Sequence, residues 1–136
     1  MFCLDTNVVI FALNGRRPGY TERLSAELEA GARLLVPTIV LFELNYGIAK
    51  SKHPEKARAL LDEFLSAGFE QPVFDADDAR EAGHIRGFLE ARGAPIGPFD
   101  YLIAAQARRR EAVLITANRR EFDRIPGLMV TDWGEG

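Results

Sequence analysis

The stretch MFCLDTN, residues 1–7, indicates how this chain folds. A short apolar run ends at the polar triplet Asp5-Thr6-Asn7, and an apolar pattern with helical spacing follows over residues 8–13. A short buried strand that leads directly into a helix is typical of an α/β protein. Asp5 stands at the carboxyl end of that strand, where ligands bind in open α/β sheets. The same residue could instead be the N-cap of the following helix, and both interpretations stay open here.

The alternation of short apolar strands and helices continues to the end of the sequence. Further strands are predicted at residues 33–37, 112–116 and 128–130, with a weaker candidate at 69–74, which Pro72 interrupts. Further helices are predicted at residues 21–29, 38–50 (capped by Thr38), 54–67, 77–91, 99–110 (opened by Pro98) and 118–124. This order predicts an α/β fold in which helices cover both faces of a central, mostly parallel β-sheet. We expect residues 1–136 to form one domain.

Composition excludes several classes of protein. The chain has 136 residues and a formal net charge of −3, so it has no global positive field that would attract nucleic acid. Its one cysteine, Cys3, excludes a disulfide framework and a multi-cysteine zinc site. Its apolar runs are too short to cross a bilayer, and the N-terminal stretch lacks the basic region of a secretory signal. We therefore expect a cytoplasmic protein without a membrane partner.

Carboxylates at three separate places carry the functional argument. Glu43 lies within the apolar segment 39–44, so we expect a helix buried nearly all round. A lone carboxylate there needs a cation or a cleft, unless it lies at the rim and faces water. Asp100 lies in the first turn of its helix, where the helix dipole alone also favours an acid. Asn118 follows the strand at 112–116 and is either a second strand-end polar group or a simple helix cap.

Taken together, these side chains predict a metal site. Since the carboxyl ends of parallel strands share one edge of a sheet, we expect Asp5, Glu43 and Asp100 to meet in one cleft. Two carboxylates about 4 Å apart repel by roughly 4 kcal/mol at an effective dielectric of 20, and a divalent cation removes that repulsion. Oxygen ligands without a His/Cys cluster indicate Mg²⁺, with Mn²⁺ as a substitute. At a phosphodiester such an ion orients and activates an attacking water.

Other chemistries have less support in the sequence. The two histidines, His53 and His84, are far apart, which disfavours a histidine-based nuclease or a triad hydrolase. A phosphatase built on Asp5 would need an acid at position 7, where Asn7 stands. The arginines at 108–110 end a helix, where cations suit the dipole, although they could also contact phosphates. Further candidates for phosphate contact are Arg86, Arg92, Arg119, Arg120 and Arg124.

Several motifs carry a resemblance to a known family. They are Asp5-Thr6-Asn7, Glu43 in the third helix, Gly97-Pro98-Phe99-Asp100, Thr116-x-Asn118-x-x-Glu121-Phe122, Ile125-Pro126-Gly127-Leu128 and Asp132-Trp133. In this order and spacing they resemble the PIN domain, and more narrowly the VapC toxins of bacterial type II toxin–antitoxin modules. The resemblance covers essentially the whole chain. It implies a PIN-domain fold and a Mg²⁺-dependent endoribonuclease that a VapB-type antitoxin inhibits.

The resemblance also assigns residues and partners. Asp5 and Asp100 are implied as the main metal ligands and Glu43 as the third acid, while Thr6 positions water or phosphate. Beside these residues we expect Thr116, Arg86 and Arg119 to support the site or to contact RNA. A homodimer with two acidic clefts in one groove is implied as well. The loop at 93–100 and the ending at 121–127 look most like the VapC group that cuts initiator tRNA in its anticodon stem-loop, so a tRNA substrate is expected.

One position departs from the family pattern. Many PIN domains place a fourth Asp where this chain has Asn118, whose amide can contact metal-bound water but adds no charge. Glu121 is the candidate for the missing carboxylate, as in some VapC relatives, and a second tightly held metal is not expected. The departure also supports an alternative, a non-catalytic module of PIN type that binds RNA or an antitoxin through this cleft.

Overall fold

The computed structural model describes residues 1–134, in which four short strands form one parallel sheet. The strands are β1 (Phe2–Leu4), β2 (Leu34–Leu35), β3 (Val113–Ile115) and β4 (Val130–Thr131), in the spatial order β2-β1-β3-β4. In the register of the central strand, Phe2 is paired with Leu34 on one side and with Val113 on the other. The predicted α/β fold with a parallel sheet is confirmed.

Seven helices connect these strands within the described residues. They are α1 (Thr6–Asn14), α2 (Pro18–Glu29), α3 (Thr38–Ala49), α4 (Pro54–Leu65), α5 (Ala76–Ala91), α6 (Pro98–Arg109) and α7 (Arg119–Phe122). α2 begins earlier than predicted because Pro18 occupies its first turn, where the fixed φ of proline suits a helix. No described helix has the length and apolar character needed to cross a membrane.

The predicted strand at 69–74 is wrong as a full strand. The structure retains a single parallel bridge between Leu35 and Glu70. Pro72 has no N–H to extend the ladder, although its carbonyl still accepts a hydrogen bond from the Thr38 backbone N–H at 3.1 Å. The last strand is also displaced, because β4 begins at Val130 and not at the predicted residue 128.

The core lies around the sheet, and its centre is fully buried. Cys3 and Leu4 of β1 pack with Leu114 and Ile115 of β3, all at 0% exposure. Burial, followed by the nearby charge of Asp5, raises the pKa of the Cys3 thiol to about 12, so this cysteine stays protonated and serves packing. The two central strands are thereby fixed, and so are the residues that follow them.

One expectation about an exposed face needs correction, and the arginines at 108–110 have partners within the fold. α3 is not buried nearly all round, because only Val40 and Leu44 are buried, while Phe42 and Tyr46 are 54% and 60% exposed. Of the two interpretations left open for the arginines at 108–110, the structure shows the one internal to the fold, because all three make ion pairs with acids of α5 or of the residue before it. Arg109 and Arg110 both bind the fully buried Asp78 of α5, at 2.6 and 2.9 Å. These ion pairs join α5 to the end of α6.

Candidate active site

The candidate active site lies at the carboxyl edge of the sheet, where β1 and β3 end side by side. Asp5 follows β1, and its Oδ1 accepts a hydrogen bond from the Thr6 backbone N–H at 2.8 Å, which makes Asp5 the N-cap of α1. Thr116 follows β3 and donates its hydroxyl proton to Oδ2 of Asp5 at 2.8 Å. Both carboxylate oxygens of Asp5 are therefore held in place. Asp5 is a helix cap and also lies at the predicted sheet edge.

Thr116 connects Asp5 to the segment after β3. The Thr116 hydroxyl is fully buried and accepts a hydrogen bond from the Asn118 backbone N–H at 2.9 Å. The hydroxyl accepts this hydrogen bond with a lone pair, and its single proton is donated to Asp5. The Asn118 side chain makes no capping hydrogen bond to α7 among the described residues. Its amide is therefore not used as the simple helix cap that the sequence allowed.

Glu43 belongs to the same constellation. The Thr6 hydroxyl donates to Oε1 of Glu43 at 2.8 Å, which ties the start of α1 to the middle of α3. Glu43 is partly buried and does not stand free at a solvent-facing rim. The carboxylates of Asp5 and Glu43 are thus linked through one residue, Thr6, whose backbone and side chain bind one acid each.

Asp100 is positioned by the loop that precedes α6. Gly97 is the N-cap of α6, and its carbonyl accepts a hydrogen bond from the Asp100 backbone N–H at 3.0 Å. A Cβ atom on Gly97 would lie 2.9 Å from Oδ2 of Asp100, so the absent side chain leaves the space that the carboxylate occupies. Arg124 holds the same loop from outside by donating to the Pro95 carbonyl at 3.1 Å.

The charges of three other acids act on Asp100 at this edge of the sheet. Burial, and then the charges of Asp5, Glu43 and Glu121, raise the pKa of Asp100 to about 7. The pKa of Asp5 is also raised, chiefly by burial, and the hydrogen bonds from Thr116 and Thr6 oppose that shift. The sequence predicted that Asp5, Glu43 and Asp100 would meet. The charges of Asp5, Glu43 and Glu121 all act on Asp100, and their service as one site stays a prediction.

The donor set fits a hard divalent cation. It consists of carboxylate oxygens with threonine hydroxyls beside them, which suits Mg²⁺ or Mn²⁺ rather than zinc. Within residues 1–134, no three His, Cys, Asp or Glu side chains form a ready-made metal cage. Mg²⁺ does not require one, since it commonly keeps several waters, so that one or two carboxylates would contact the ion directly and the third through a bound water. The raised pKa of Asp100 reflects burial first and then the charges of neighbouring acids, and a bound cation would favour the ionised carboxylate against both effects.

The arginines predicted to contact RNA are exposed and carry local partners. Arg86 pairs with Glu90 at 3.0 Å and lies over the Tyr101 ring at 5.5 Å. Arg119 pairs with Asp123 at 3.2 Å. Surface pairs of this kind contribute little to stability, so both guanidinium groups remain available to a phosphate. Their role in RNA contact stays a prediction.

Two features of the site were not foreseen from the sequence. One is the space at Gly97 that accommodates the Asp100 carboxylate. The other is a pair of exposed rings, Phe42 and Phe99, whose centroids are 5.3 Å apart. Each ring belongs to the residue immediately before a site acid, Glu43 or Asp100. The repeated Phe-acid dipeptide was the available signal for this pair.

Several known proteins are similar to this chain over almost its whole length. The model of the PIN domain family matches residues 2–128. The tRNA(fMet)-specific endonuclease VapC of Shigella flexneri is 39% identical over 132 residues, which cover 97% of each protein. The crystal structure of VapBC2 from Rickettsia felis bound to a DNA fragment from its promoter contains a similar chain. That chain has a TM-score of 0.90 and 37% identity, and the match covers 97% of this chain and 98% of that one. DNA-bound VapBC from Salmonella typhimurium has a TM-score of 0.88 at 39% identity, covering 97% of each chain.

Proposed function

This chain belongs to the PIN domain family, and on that premise we propose that it is a metal-dependent endoribonuclease acting as the toxin of a type II toxin–antitoxin module. The observation that supports the proposal most is that Thr6 links the carboxylates of Asp5 and Glu43, and that the charges of both act on the partly buried Asp100. A core domain does not need three mutually repelling acids at one sheet edge, whereas hydrolysis of a phosphodiester with a bound cation does. The ribonuclease names of the relatives support the same reaction.

Each polar residue of the cleft has a role in this proposal. Asp5, Glu43 and Asp100 hold Mg²⁺, for which Mn²⁺ can substitute. When bound, the cation supplies an activated water and neutralises charge on the leaving oxygen. Thr116 and Thr6 keep Asp5 and Glu43 in the rotamers that face the cleft. The remaining polar groups are the amide of Asn118, which can donate to a phosphate or a water, and the carboxylate of Glu121, which adds negative charge.

We propose initiator tRNA as the substrate, cut in its anticodon stem-loop. The support is the 39% identity to relatives named as tRNA(fMet)-specific endonucleases, which extends over 97% of the chain. The anticodon loop is single-stranded, and proteins read RNA sequence chiefly in such loops. In this proposal the protein works in the cytoplasm, where tRNA is found.

We propose two protein partners as well. One is an antitoxin of VapB type, which is supported by the similar chains solved in VapBC complexes. An apolar groove between α1, α3 and α4, lined by Ile10, Leu44 and Leu61 among others, opens beside Glu43. Such a groove suits the apolar face of an amphipathic antitoxin segment. The other partner is a second copy of the chain, forming a homodimer.

Cleavage of purified initiator tRNA tests the proposed function. The wild-type protein is expected to cut with Mg²⁺ and to stop when EDTA is added. Asp5→Ala is expected to abolish cutting while the variant stays folded, and Asp62→Asn, an exposed carboxylate on α4, serves as the matched control. RNA binding without Mg²⁺-dependent turnover would instead support the non-catalytic module that the Asn118 departure suggests.

A further inference from the structure

The exposed face of α3 presents an ordered series of side chains to solvent. Phe42 and Tyr46 lie one helical turn apart and are 54% and 60% exposed. Lys50 follows one turn later, directly after α3, and its Nζ lies 4.6 Å from the centroid of the Tyr46 ring. The rise of an α-helix separates the two aromatic residues by about 6 Å along the axis. The core does not account for these rings, because they face away from Val40 and Leu44.

The series begins at the acidic cleft. Phe42 packs against Phe99 at 5.3 Å between centroids, with the rings inclined at 53°. Phe99 is itself 41% exposed, so both rings keep a face in water. Since Phe42 precedes Glu43 and Phe99 precedes Asp100, the ring pair lies at the border of the site. In the proposed function, a nucleotide next to the scissile phosphate would lie beside these rings.

The series ends at a strongly basic turn. Residues 50–58 contain Lys50, Lys52, Lys56 and Arg58 against one acid, Glu55, so the local charge is 4 − 1 = +3. They include every lysine of the chain. Arg58 donates to Oδ1 of Asn45 on the exposed face of α3, which holds the start of α4 against this series. A chain whose net charge is −3 therefore concentrates positive charge at one end of the aromatic face.

We propose that single-stranded RNA entering or leaving the acidic cleft runs along this face, which we call the α3 track and define by Phe42, Phe99, Tyr46 and the basic turn 50–58. Nucleobases stack on the rings, and the backbone phosphates reach the lysines. Stacking tolerates any base because each has a π-face, and a positive surface beside the rings is the usual complement. An apolar protein partner would have no use for the +3 charge, so the track favours RNA over protein. This inference rests on the proposed ribonuclease function.

Binding of a labelled single-stranded oligoribonucleotide in EDTA, where cleavage does not occur, tests the α3 track. Tyr46→Ala is expected to raise the dissociation constant at least about fivefold, since base–aromatic stacking contributes that much or more. Tyr46→Phe keeps the ring and should retain wild-type affinity. Replacing Lys50, Lys52 and Lys56 together by Gln should lower the slope of log K against log salt by about 2, because each phosphate contact contributes about 0.7. Met129→Ala, 48% exposed and outside the track, should change neither quantity.

Catalysis separates this inference from the proposed function. With Mg²⁺, Tyr46→Ala should raise KM and leave kcat at saturating RNA near the wild-type value. If the wild-type protein cuts RNA while Tyr46→Ala and the triple lysine variant bind it normally, the α3 track is refuted and the ribonuclease stands. If the wild-type protein neither binds nor cuts RNA, both fail. If Tyr46→Ala converts a wild-type dimer into a monomer and leaves the affinity for RNA unchanged, this face is a contact between two copies of the chain. That result would refute the α3 track.

Discussion

Replacing Gly97 by Ala should reduce activity without harming the fold. Gly97 has φ −61° and ψ 145°, a conformation that alanine adopts without strain. The added Cβ would lie 2.9 Å from Oδ2 of Asp100, whereas ordinary contacts begin at 3.4 Å. The difference is 0.5 Å, and the carboxylate must yield because it is the flexible partner. The variant thus displaces one proposed metal ligand and leaves the backbone in place.

The size of the effect follows from that displacement. A misplacement of about 1 Å can cost roughly 100-fold in rate, so half of it should cost roughly tenfold. The free energy of unfolding should rise or stay unchanged. Replacing Gly by Ala at a compatible site stabilises a protein by about 0.4–1 kcal/mol, because it lowers the conformational entropy of the unfolded chain. The expected signature is a slower enzyme with an unchanged or raised melting temperature.

Single-turnover cleavage of initiator tRNA, together with thermal melting, measures both quantities. Gly87→Ala is the matched control, because a Cβ at Gly87 meets no atom within 4 Å among the described residues. That variant should cut at the wild-type rate and melt higher. A Gly97→Ala variant that cuts as fast as wild type would refute the reasoning, since the position of Asp100 would then not limit the reaction.

Three further outcomes are expected. Thr116→Val keeps the shape of the side chain but removes the donor to Asp5 and the acceptor for Asn118. Urea denaturation should then show a free energy of unfolding lower by about 1–3 kcal/mol, and cleavage should be slower. Thr116→Ser, which keeps the hydroxyl, should restore both. Asp78→Asn should lower the free energy of unfolding by about 3 kcal/mol, because two partly exposed arginines lose their buried charged partner. The folded fraction should keep its activity. Equal stability of the variant and the wild type would contradict this prediction. The pKa of Asp100 is raised from 3.8 to about 7 in the folded protein. Between these two values the native state therefore binds one proton that the unfolded chain has released. Without a divalent cation, the free energy of unfolding should fall as the pH rises from about 4 through 7. Asp100→Asn should flatten that profile in a melting series, and an unchanged slope would contradict the assignment.

The sequence predicted those parts of the site that depend on local order. Asp5 and Thr116 directly follow apolar strands, and parallel pairing of β1 with β3 then places them side by side. Contacts between distant segments could not be predicted, such as the pairing of Arg110 with Asp78, which are separated by 32 residues. The exposed face of α3 was mispredicted because apolar composition does not reveal which face the rest of the chain covers. Phe42 and Tyr46 read as core residues in the sequence but lie in solvent.

Calorimetric titration with Mn²⁺ measures whether Asp5, Glu43 and Asp100 jointly hold one divalent cation. Wild type and Asp62→Asn, whose changed carboxylate is exposed on α4, are predicted to bind one tightly held ion per protomer. Asp100→Asn is predicted to lose that binding while staying folded, as a cooperative melting transition would show. Wild-type affinity for Mn²⁺ in a folded Asp100→Asn variant would show that Asp100 does not hold the ion and that the proposed metal site is wrong.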